Sequence, residues 1–231
     1  PAYSLIKDLK KRGDEVAIAG RKYVFEGDSS ESYEYIVAKK ENIPFFEIRT
    51  GRLQRKWTKY TMPSFFRIAL GFFDSIKVIL RFKPDIVVAF GGYISFPISY
   101  AAFLYRITVV LHEQTQKAGF AGRLVGLVAV RICISFESSK DYFSKQKTVF
   151  TGNPIREEIF LINDRIQIKK EKPVIYITGG SSGSHIINLL VKEILSSLLN
   201  EFTIIHQVGD NKFYNDYQLL EEERQLLPHD L

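Results

Sequence analysis

Hydrophobic residues recur along most of the chain in two alternating patterns. Some segments have the spacing of amphipathic helices, and others are short β-branched runs typical of buried strands. The first 12 residues predict a helix that ends at Gly13, and the alternation continues to a short helix after Pro154. The predicted strands are "EVAIAG", "IPFFEIR", "PDIVVAF", "ITVVLHE", "RICIS" and "KTVFTG". The other predicted helices lie at 31–41, 62–82, 96–105, 119–127 and 137–144. This order predicts the α/β class with a doubly wound parallel sheet.

A polar stretch at 161–172 separates this pattern from a second one. A strand, a glycine turn and a helix follow at 173–200, then the strand "FTIIHQV" and a helical segment of mixed charge. We therefore expect two α/β domains, 1–160 and 173–231, joined by a linker at 161–172. Two strands are too few for an independent sheet, so we expect the second domain to be incomplete and the sequence to be part of a longer protein.

Composition supports a folded protein, since 45% of the 231 residues are hydrophobic and 25% are charged. The single cysteine, Cys133, permits no internal disulfide and no cysteine-based metal cluster. Residues 86–105 carry no charge, which raises the question of a membrane span. Gly91, Gly92 and Pro97 are expected to break this run into strand, turn and helix, so we reject the span.

Charge is distributed unevenly along the chain. Residues 1–160 hold 25 Lys and Arg against 16 Asp and Glu, whereas 161–231 hold 7 against 10. The basic part suggests an anionic partner: nucleic acid, a phosphorylated metabolite or an acidic membrane surface. A solvated basic face explains the charge equally well.

The stretch "YITGGSSGSHIIN" at 176–188 runs from a strand through a glycine turn into a helix. Two chemistries use such a junction. One is a nucleophilic serine on a sharp elbow, which would be Ser181 with Asp210 or Asp216 and with His229. The other is a phosphate bound by the amides of a helix N-terminus.

Ligands of open α/β sheets bind outside the carboxyl ends of the strands, so the residues that follow each strand are informative. Four of these junctions are distinctive: Gly91-Gly92-Tyr93, Gln114-Thr115, the segment from Thr151 to Arg156, and the glycine turn at 179–183. Each alone could be a plain connection between strand and helix. Together, and in this order, they are specific.

The segments "GGYISFPISYAA", "VVLHEQTQKAG", "FTGNPIRE" and "ITGGSSGSHIIN" resemble, at matching spacing, the MurG family within glycosyltransferase family 28. The resemblance covers essentially the whole chain, which begins just after the family's N-terminal glycine-rich loop and ends before the segments that hold uracil and ribose. It implies a GT-B fold of two Rossmann-like domains. We therefore expect residues 1–231 alone not to turn over UDP-GlcNAc.

The resemblance also implies an activity in peptidoglycan synthesis. The implied reaction moves GlcNAc from UDP-GlcNAc to the muramyl 4-hydroxyl of lipid I, with inversion and without a metal or cofactor. The implied partners are UDP-GlcNAc, undecaprenyl-linked lipid I and an anionic membrane surface, with no nucleic acid. The implied location is the cytoplasmic face of the bacterial plasma membrane, as a peripheral protein.

Matching the family's motifs assigns donor-binding residues. Amides at the start of the helix after the glycine turn, together with the helix dipole, would stabilise charge on the leaving diphosphate. Arg156 would add a planar cation, unless it forms a surface salt bridge with Glu157 or Glu158. Asn188 would lie on the same helix face as Ser181, unless it faces solvent. The expected donor residues are Gln114, Thr115, Arg156, Gly180, Ser181, Ser182, Gly183 and Asn188; Thr115 departs from the family, which usually has asparagine there.

The acceptor and catalytic candidates lie in the first domain. The resemblance places the acceptor near Gly91, Gly92 and Tyr93, and the catalytic candidates are Tyr93, His112 and Glu113. A buried Glu113 could share proton transfer, but a carboxylate that holds a loop by accepting backbone amides is the slightly favoured interpretation. For His112 a structural hydrogen bond is the simpler role.

Residues 49–82 predict a membrane-contacting surface. Arg49, Arg52, Arg55, Lys56 and Lys59 surround Trp57, and the helix sequence "SFFRIALGFF" has more apolar positions than one packed stripe requires. The expected contacts are Arg52, Lys56, Trp57, Phe65, Phe66, Phe72 and Phe73. In the alternative, a neighbouring segment covers this face, and Gly71 suits close helix packing.

Three other functions stay open: a UDP-sugar epimerase of the same fold, a serine hydrolase that uses Ser181, and a non-catalytic module that binds nucleotides or membranes. The serine hydrolase interpretation gives no role to the motifs "HEQ" and "GNPIR".

Overall fold

A computed structural model describes residues 1–23, 31–51, 61–161, 172–180, 183–209 and 214–227, with the backbone alone for 61–66. The chain divides into two compact units, Pro1–Ile162 and Asn163–Leu231. Every strand pairing between named strands is parallel. The α/β class with parallel sheets is therefore confirmed.

In the first unit, helices and strands alternate as the hydrophobic pattern predicts. The strands are β1 Ile18–Gly20, β2 Phe45–Glu47, β3 Ile86–Ala89, β4 Thr108–Glu113, β5 Arg131–Ile134 and β6 Thr148–Phe150. The helices are α1 Ala2–Arg12, α2 Tyr33–Lys40, α3 Thr61–Phe82, α4 Gly92–Leu104, α5 Phe120–Val128 and α6 Glu158–Leu161. α1 ends as predicted at Gly13, whose φ of 89° is the left-handed conformation that glycine adopts without strain.

The strands of the first unit form two sheets in the described part of the chain, where a single doubly wound sheet was expected. β1 pairs with β2, and β3, β4, β5 and β6 form a second sheet in that order. Ala19 and Phe46 from the small sheet pack against the core of the larger one, which includes Leu111 and Ile132.

Two predicted helices differ from the structure. α4 begins at Gly92 rather than near residue 96, because Gly91 and Gly92, with φ of 73° and 75°, turn the chain directly into the helix. Pro97 lies inside α4, where it forfeits only the hydrogen bond to the carbonyl of Tyr93. The segment predicted as a helix at 137–144 is a 3₁₀ helix, Glu137–Tyr142.

The second unit consists of β7 Val174–Thr178, α7 His185–Glu201, β8 Thr203–Gln207 and α8 Asp216–Leu226. β7 and β8 pair in parallel, with Val174 opposite Thr203 and Thr178 opposite Gln207. α7 buries Val191 and Leu195. Both strands and both helices were predicted from the sequence.

No helix within the described ranges combines the length and apolar character needed to cross a bilayer. The uncharged run at 86–105 is divided between β3 and α4, so its predicted division into strand, turn and helix is confirmed.

An ion pair between the exposed Arg49 and the buried Asp74 attaches the segment after β2 to α3. Asp74 is buried, and its carboxylate accepts two hydrogen bonds from the Arg49 guanidinium, at 2.9 and 2.8 Å, and one from the Arg49 amide, at 3.2 Å. Arg49, which we grouped with the basic membrane-facing loop, is therefore held against α3. These hydrogen bonds lower the pKa of Asp74 from its ordinary value.

We expect Asp74→Asn to lower the free energy of unfolding at pH 7 by about 1 kcal/mol, because it removes the charge from hydrogen bonds whose arginine partner is exposed to solvent. The pKa of Asp74 is lowered in the folded state, so the stabilisation is fully present above the ordinary aspartate pKa of about 3.9 and is lost as the pH falls through the lowered value. Urea unfolding between neutral pH and pH 3 measures this difference. Asp85→Asn, at an exposed aspartate, is the control; equal losses in both variants would contradict the assignment.

Candidate functional site

The carboxyl ends of β1 and β3 meet through a side-chain hydrogen bond. Arg21, directly after β1, donates from Nη1 to the hydroxyl of Tyr93, at 2.7 Å. Tyr93 is the second residue of α4 and follows Gly91 and Gly92. Because β1 belongs to one sheet and β3 to the other, this bond links the carboxyl ends of strands from both sheets, the side on which α/β folds bind ligands.

Glu113, the last residue of β4, is only 4% exposed, and its carboxylate holds the following loop. Oε1 accepts hydrogen bonds from the backbone amide of Thr115, at 3.1 Å, and from its hydroxyl, at 2.6 Å. Oε2 lies against the first turn of α5, where a β-carbon on Gly122 would approach it to 2.7 Å. This geometry is that of a loop-holding carboxylate. Gln114, between Glu113 and Thr115, is exposed.

His112 connects β4 to the loop after β6. Its ring is buried, and Nε2 lies 3.2 Å from the carbonyl oxygen of Gly152. Nδ1 is buried without a hydrogen-bond partner among the described residues. The imidazole therefore has the structural hydrogen bond that the simpler interpretation predicts.

Arg156 is exposed and lines a cleft of about 320 Å³ between α1 and the segment before α6. The two glutamates that follow it pair elsewhere: Glu157 binds Lys11 at 2.7 Å, and Glu158 binds Lys7. The structure therefore shows these glutamates paired with lysines and not with Arg156. The cleft is lined by Ser4, Lys7, Asp8, Lys11, Ile155, Arg156, Glu157 and Phe160.

In the second unit, the glycine turn lies between β7 and α7. Gly180 and Gly183 have φ of 82° and 73°, and the amide of Gly183 donates to the carbonyl of Gly180 at 3.1 Å. A β-carbon on Gly183 would lie 1.8 Å from the carbonyl oxygen of Val208, so the turn presses against the loop after β8. Ser181 and Ser182 lie outside the described residues.

Asn188 is 2% exposed, so the alternative that it faces solvent is wrong. Its Nδ2 donates to the carbonyl of Val208, at 3.1 Å, and to Oδ2 of Asp216, at 2.8 Å. The side chain that we predicted to reach the donor therefore fastens α7 to the loop after β8 and to α8.

His185 and Asp216 form a pair that sequence reasoning missed. Nδ1 of His185, the first residue of α7, lies 2.6 Å from Oδ1 of Asp216, the first residue of α8. Tyr214 stacks on the imidazole with ring centroids 3.8 Å apart and an interplanar angle of 11°. Asp210 and His229, the other members of the serine hydrolase alternative, lie outside the described residues.

α3 carries the described part of the predicted membrane surface. Phe73 is 64% exposed and Leu70 is 47% exposed, whereas Phe72 is half-buried and packs edge-on against Phe96 at 5.6 Å. Gly71 approaches Thr50 so closely that a β-carbon would lie 2.5 Å from the Thr50 β-carbon. The remaining predicted contacts, Arg52, Lys56, Trp57 and the side chains of Phe65 and Phe66, fall outside the described residues.

The site residues also show what sequence reasoning could have found. Arg21 follows a strand in the same way as the four junctions that were singled out, so its position was a usable signal. His185 is an ordinary helical position by sequence, and its partner is 31 residues away. Within the described ranges, no group of three or more His, Cys, Asp or Glu could hold a metal ion.

Comparison with known proteins gives consistent results. A protein of Clostridium tetani named UDP-N-acetylglucosamine--N-acetylmuramyl-(pentapeptide) pyrophosphoryl-undecaprenol N-acetylglucosamine transferase is 34% identical over 243 aligned residues, covering 99% of this chain. This chain spans 65% of that relative's length.

Two solved structures are similar in fold. The crystal structure of Acinetobacter baumannii MurG matches with a TM-score of 0.59 and 27% identity, over 96% of this chain and 58% of that one. A UDP-GlcNAc 2-epimerase from Neisseria meningitidis matches with a TM-score of 0.51 and 17% identity, over 89% of this chain and 69% of the epimerase. The second likeness concerns the fold alone.

The family assignment depends on the first unit, where the junction motifs of β3 and β4 lie. Residues 1–134 match the glycosyltransferase family 28 N-terminal domain. The two α/β units have parallel sheets, and the Acinetobacter baumannii MurG structure is similar to this chain. The predicted GT-B fold class is therefore also confirmed. The chain belongs to glycosyltransferase family 28.

Proposed function

We propose that the complete protein transfers GlcNAc from UDP-GlcNAc to the muramyl 4-hydroxyl of lipid I, with inversion and without a metal, in bacterial peptidoglycan synthesis. The observation that carries this proposal is the 34% identity to the Clostridium tetani transferase over 99% of the chain. The arrangement of the motif loops supports it, because Gly91–Tyr93, Glu113–Thr115 and Gly152 lie at the carboxyl ends of β3, β4 and β6, three strands of one four-stranded parallel sheet.

In this proposal, the second unit holds the binding site for the donor. The positive end of α7 suits a diphosphate, and the first turn of α7 has no acidic residue to oppose it. Ser181 and Ser182 are also proposed donor-binding residues. Arg156, whose neighbouring glutamates are bound by Lys7 and Lys11, supplies a cation.

The acceptor binds near Gly91, Gly92 and Tyr93. Arg21 adds positive charge beside Tyr93, which suits an acceptor that carries a diphosphate. Glu113 acts by positioning Thr115 for the donor sugar rather than by transferring a proton, since its carboxylate is occupied by the Thr115 amide and hydroxyl. His112 positions the loop of Gly152 in the same way.

The protein docks on the cytoplasmic face of the plasma membrane through α3. Leu70, Phe73 and Leu80 are exposed at helical spacing, with Lys77 exposed between them. Exposed apolar side chains beside basic ones favour an anionic lipid surface. Phe73 and Leu70 take the place of Phe72, which packs inward.

An epimerase is the second candidate and is less supported. The likeness to epimerase structures, at 17% identity for the Neisseria meningitidis protein, concerns the fold alone, whereas the identity to the transferase is 34%. The serine hydrolase alternative needs Asp210 or Asp216 as the acid of its catalytic triad. Asp216 is not available for this role, because its two carboxylate oxygens bind His185 and Asn188.

The complete protein should form GlcNAc-bearing lipid from UDP-GlcNAc and a lipid I analogue, and should form no 2-epimer from UDP-GlcNAc alone. Release of the 2-epimer without lipid product would establish the epimerase instead.

Arg156→Ala should lower kcat/KM for UDP-GlcNAc by an amount that corresponds to about 1.5–3 kcal/mol of transition-state stabilisation, the value of a charge-assisted hydrogen bond. Arg131→Ala, at an exposed arginine where β5 begins, is the matched control.

Gly122→Ala should lower the free energy of unfolding by about 1–3 kcal/mol, because its β-carbon would collide with the Glu113 carboxylate. In a Glu113→Ala background the same change should cost much less, and a double-mutant cycle measures the difference. Gly119→Ala, where nothing lies within 4 Å of a β-carbon, is the control. Equal costs in both backgrounds would show that Glu113 does not occupy this space.

Phe73→Ser and Leu70→Ser should each weaken binding of the complete protein to phosphatidylglycerol vesicles by about 1–2 kcal/mol, because each removes an apolar side chain from the lipid interface. Cosedimentation measures the binding, which should also fall with added salt. Ile36→Ser, at an exposed apolar position on α2, should bind as the wild type does. Unchanged binding by the folded α3 variants would exclude this face as the docking surface.

A further inference from the structure

Two ion pairs join α1 to the segment that follows β6. Lys7 binds Glu158, and Nζ of Lys11 lies 2.7 Å from the Glu157 carboxylate. Lys7 and Lys11 are four residues apart and therefore lie on the same face of α1, while the two glutamates are consecutive. Each lysine thus has its own carboxylate, and both pairs connect the same two segments of the chain.

Arg156 immediately precedes the two glutamates and lines the same cleft as Lys7 and Lys11. The hydrogen bond from Lys7 is the main cause that lowers the pKa of Glu158, and the charge of Arg156 contributes in the same direction. This carboxylate is therefore within Coulombic reach of the guanidinium, although a lysine binds it. Within the described ranges, Arg156 itself forms no ion pair.

The exposure of the two pairs indicates that stabilising the fold is not their main effect. The Lys11 and Glu157 side chains are 62% and 65% exposed, and the other pair is partly exposed. Ion pairs on the surface contribute little to stability. A guanidinium, however, matches a carboxylate as well as it matches a phosphate. Without the lysines, the two carboxylates would compete with a phosphate for Arg156.

We propose that Lys7 and Lys11 are positioning residues for use of the donor. By binding the two glutamates, they prevent these carboxylates from pairing with Arg156, so that its guanidinium stays available for the diphosphate of a nucleoside-diphosphate sugar. The inference rests on the proposed function, in which Arg156 binds that diphosphate. Neither lysine belongs to a motif that carries the family resemblance. The effect acts through the glutamates, so it should disappear when the glutamates are neutral.

Calorimetry of the complete protein with UDP tests this role. Lys7→Gln combined with Lys11→Gln should weaken UDP binding about threefold, the size expected when an exposed carboxylate competes for Arg156. Glu157→Gln combined with Glu158→Gln removes the same two ion pairs but leaves no competing carboxylate, so this variant should bind UDP at least as tightly as the wild type. In the variant with all four substitutions, the loss of the lysines should have no further effect.

The difference between the lysine and glutamate variants separates this role from a structural one. If the ion pairs only held α1 in place, both double variants would weaken UDP binding equally, because each breaks both pairs. If the lysines attracted the diphosphate directly, their loss would weaken binding equally with and without the glutamates. Either result would overturn the proposal. Asp8, the other acidic residue that lines the cleft, is retained in every variant, so its charge is constant.

Arg12→Gln is the matched control, because it removes a cation from the last turn of α1 without changing either ion pair. It should bind UDP as the wild type does, and an equal loss there would assign the lysine effect to general charge and overturn the proposal. Uridine, which has no phosphate, should bind the lysine variant and the wild type equally. If the wild type binds UDP and the lysine variant binds it equally well, only this inference fails. If the wild type binds no UDP, the proposed function fails with it.

Discussion

The buried carboxylate of Glu113 is the group on which the carboxyl edge of the larger sheet depends. One oxygen takes the amide and hydroxyl of Thr115, and the other occupies the space that Gly122 leaves open. The loop is fastened further by Ser139, whose hydroxyl donates to the Thr115 carbonyl at 2.8 Å. A buried charge is costly unless it is hydrogen-bonded, so β4, the loop and α5 must be placed correctly together. The same requirement fixes the position of Thr115, one of the residues of the β4 junction.

The sequence predicted the order and type of most elements because those depend on local patterns. The terminus of α1 at Gly13 and the division of the uncharged run at 86–105 are examples. It did not predict contacts between distant residues. A salt bridge of Arg156 with Glu157 or Glu158 was the alternative that chain neighbours offered, whereas these glutamates bind lysines 146 and 151 residues away. The pairs of Arg21 with Tyr93 and of His185 with Asp216 depend likewise on the folded arrangement.

The two units hold their loops with different chemistry. In the first unit a carboxylate accepts from the loop that it holds, so the holding group is itself an anion. In the second unit the side-chain amide of Asn188 donates to the Val208 carbonyl and to Asp216, so the group that holds the loop after β8 is neutral.

The contact between Gly183 and Val208 changes how the glycine turn at 179–183 should be interpreted in other sequences. No side chain fits at position 183, because a β-carbon would lie 1.8 Å from the Val208 carbonyl, whereas the space around a β-carbon on Gly180 is open. Packing of the protein against itself is enough to select glycine at 183. A relative that had lost nucleotide binding would still retain that glycine, so its presence in an alignment reports the fold and carries no information about activity.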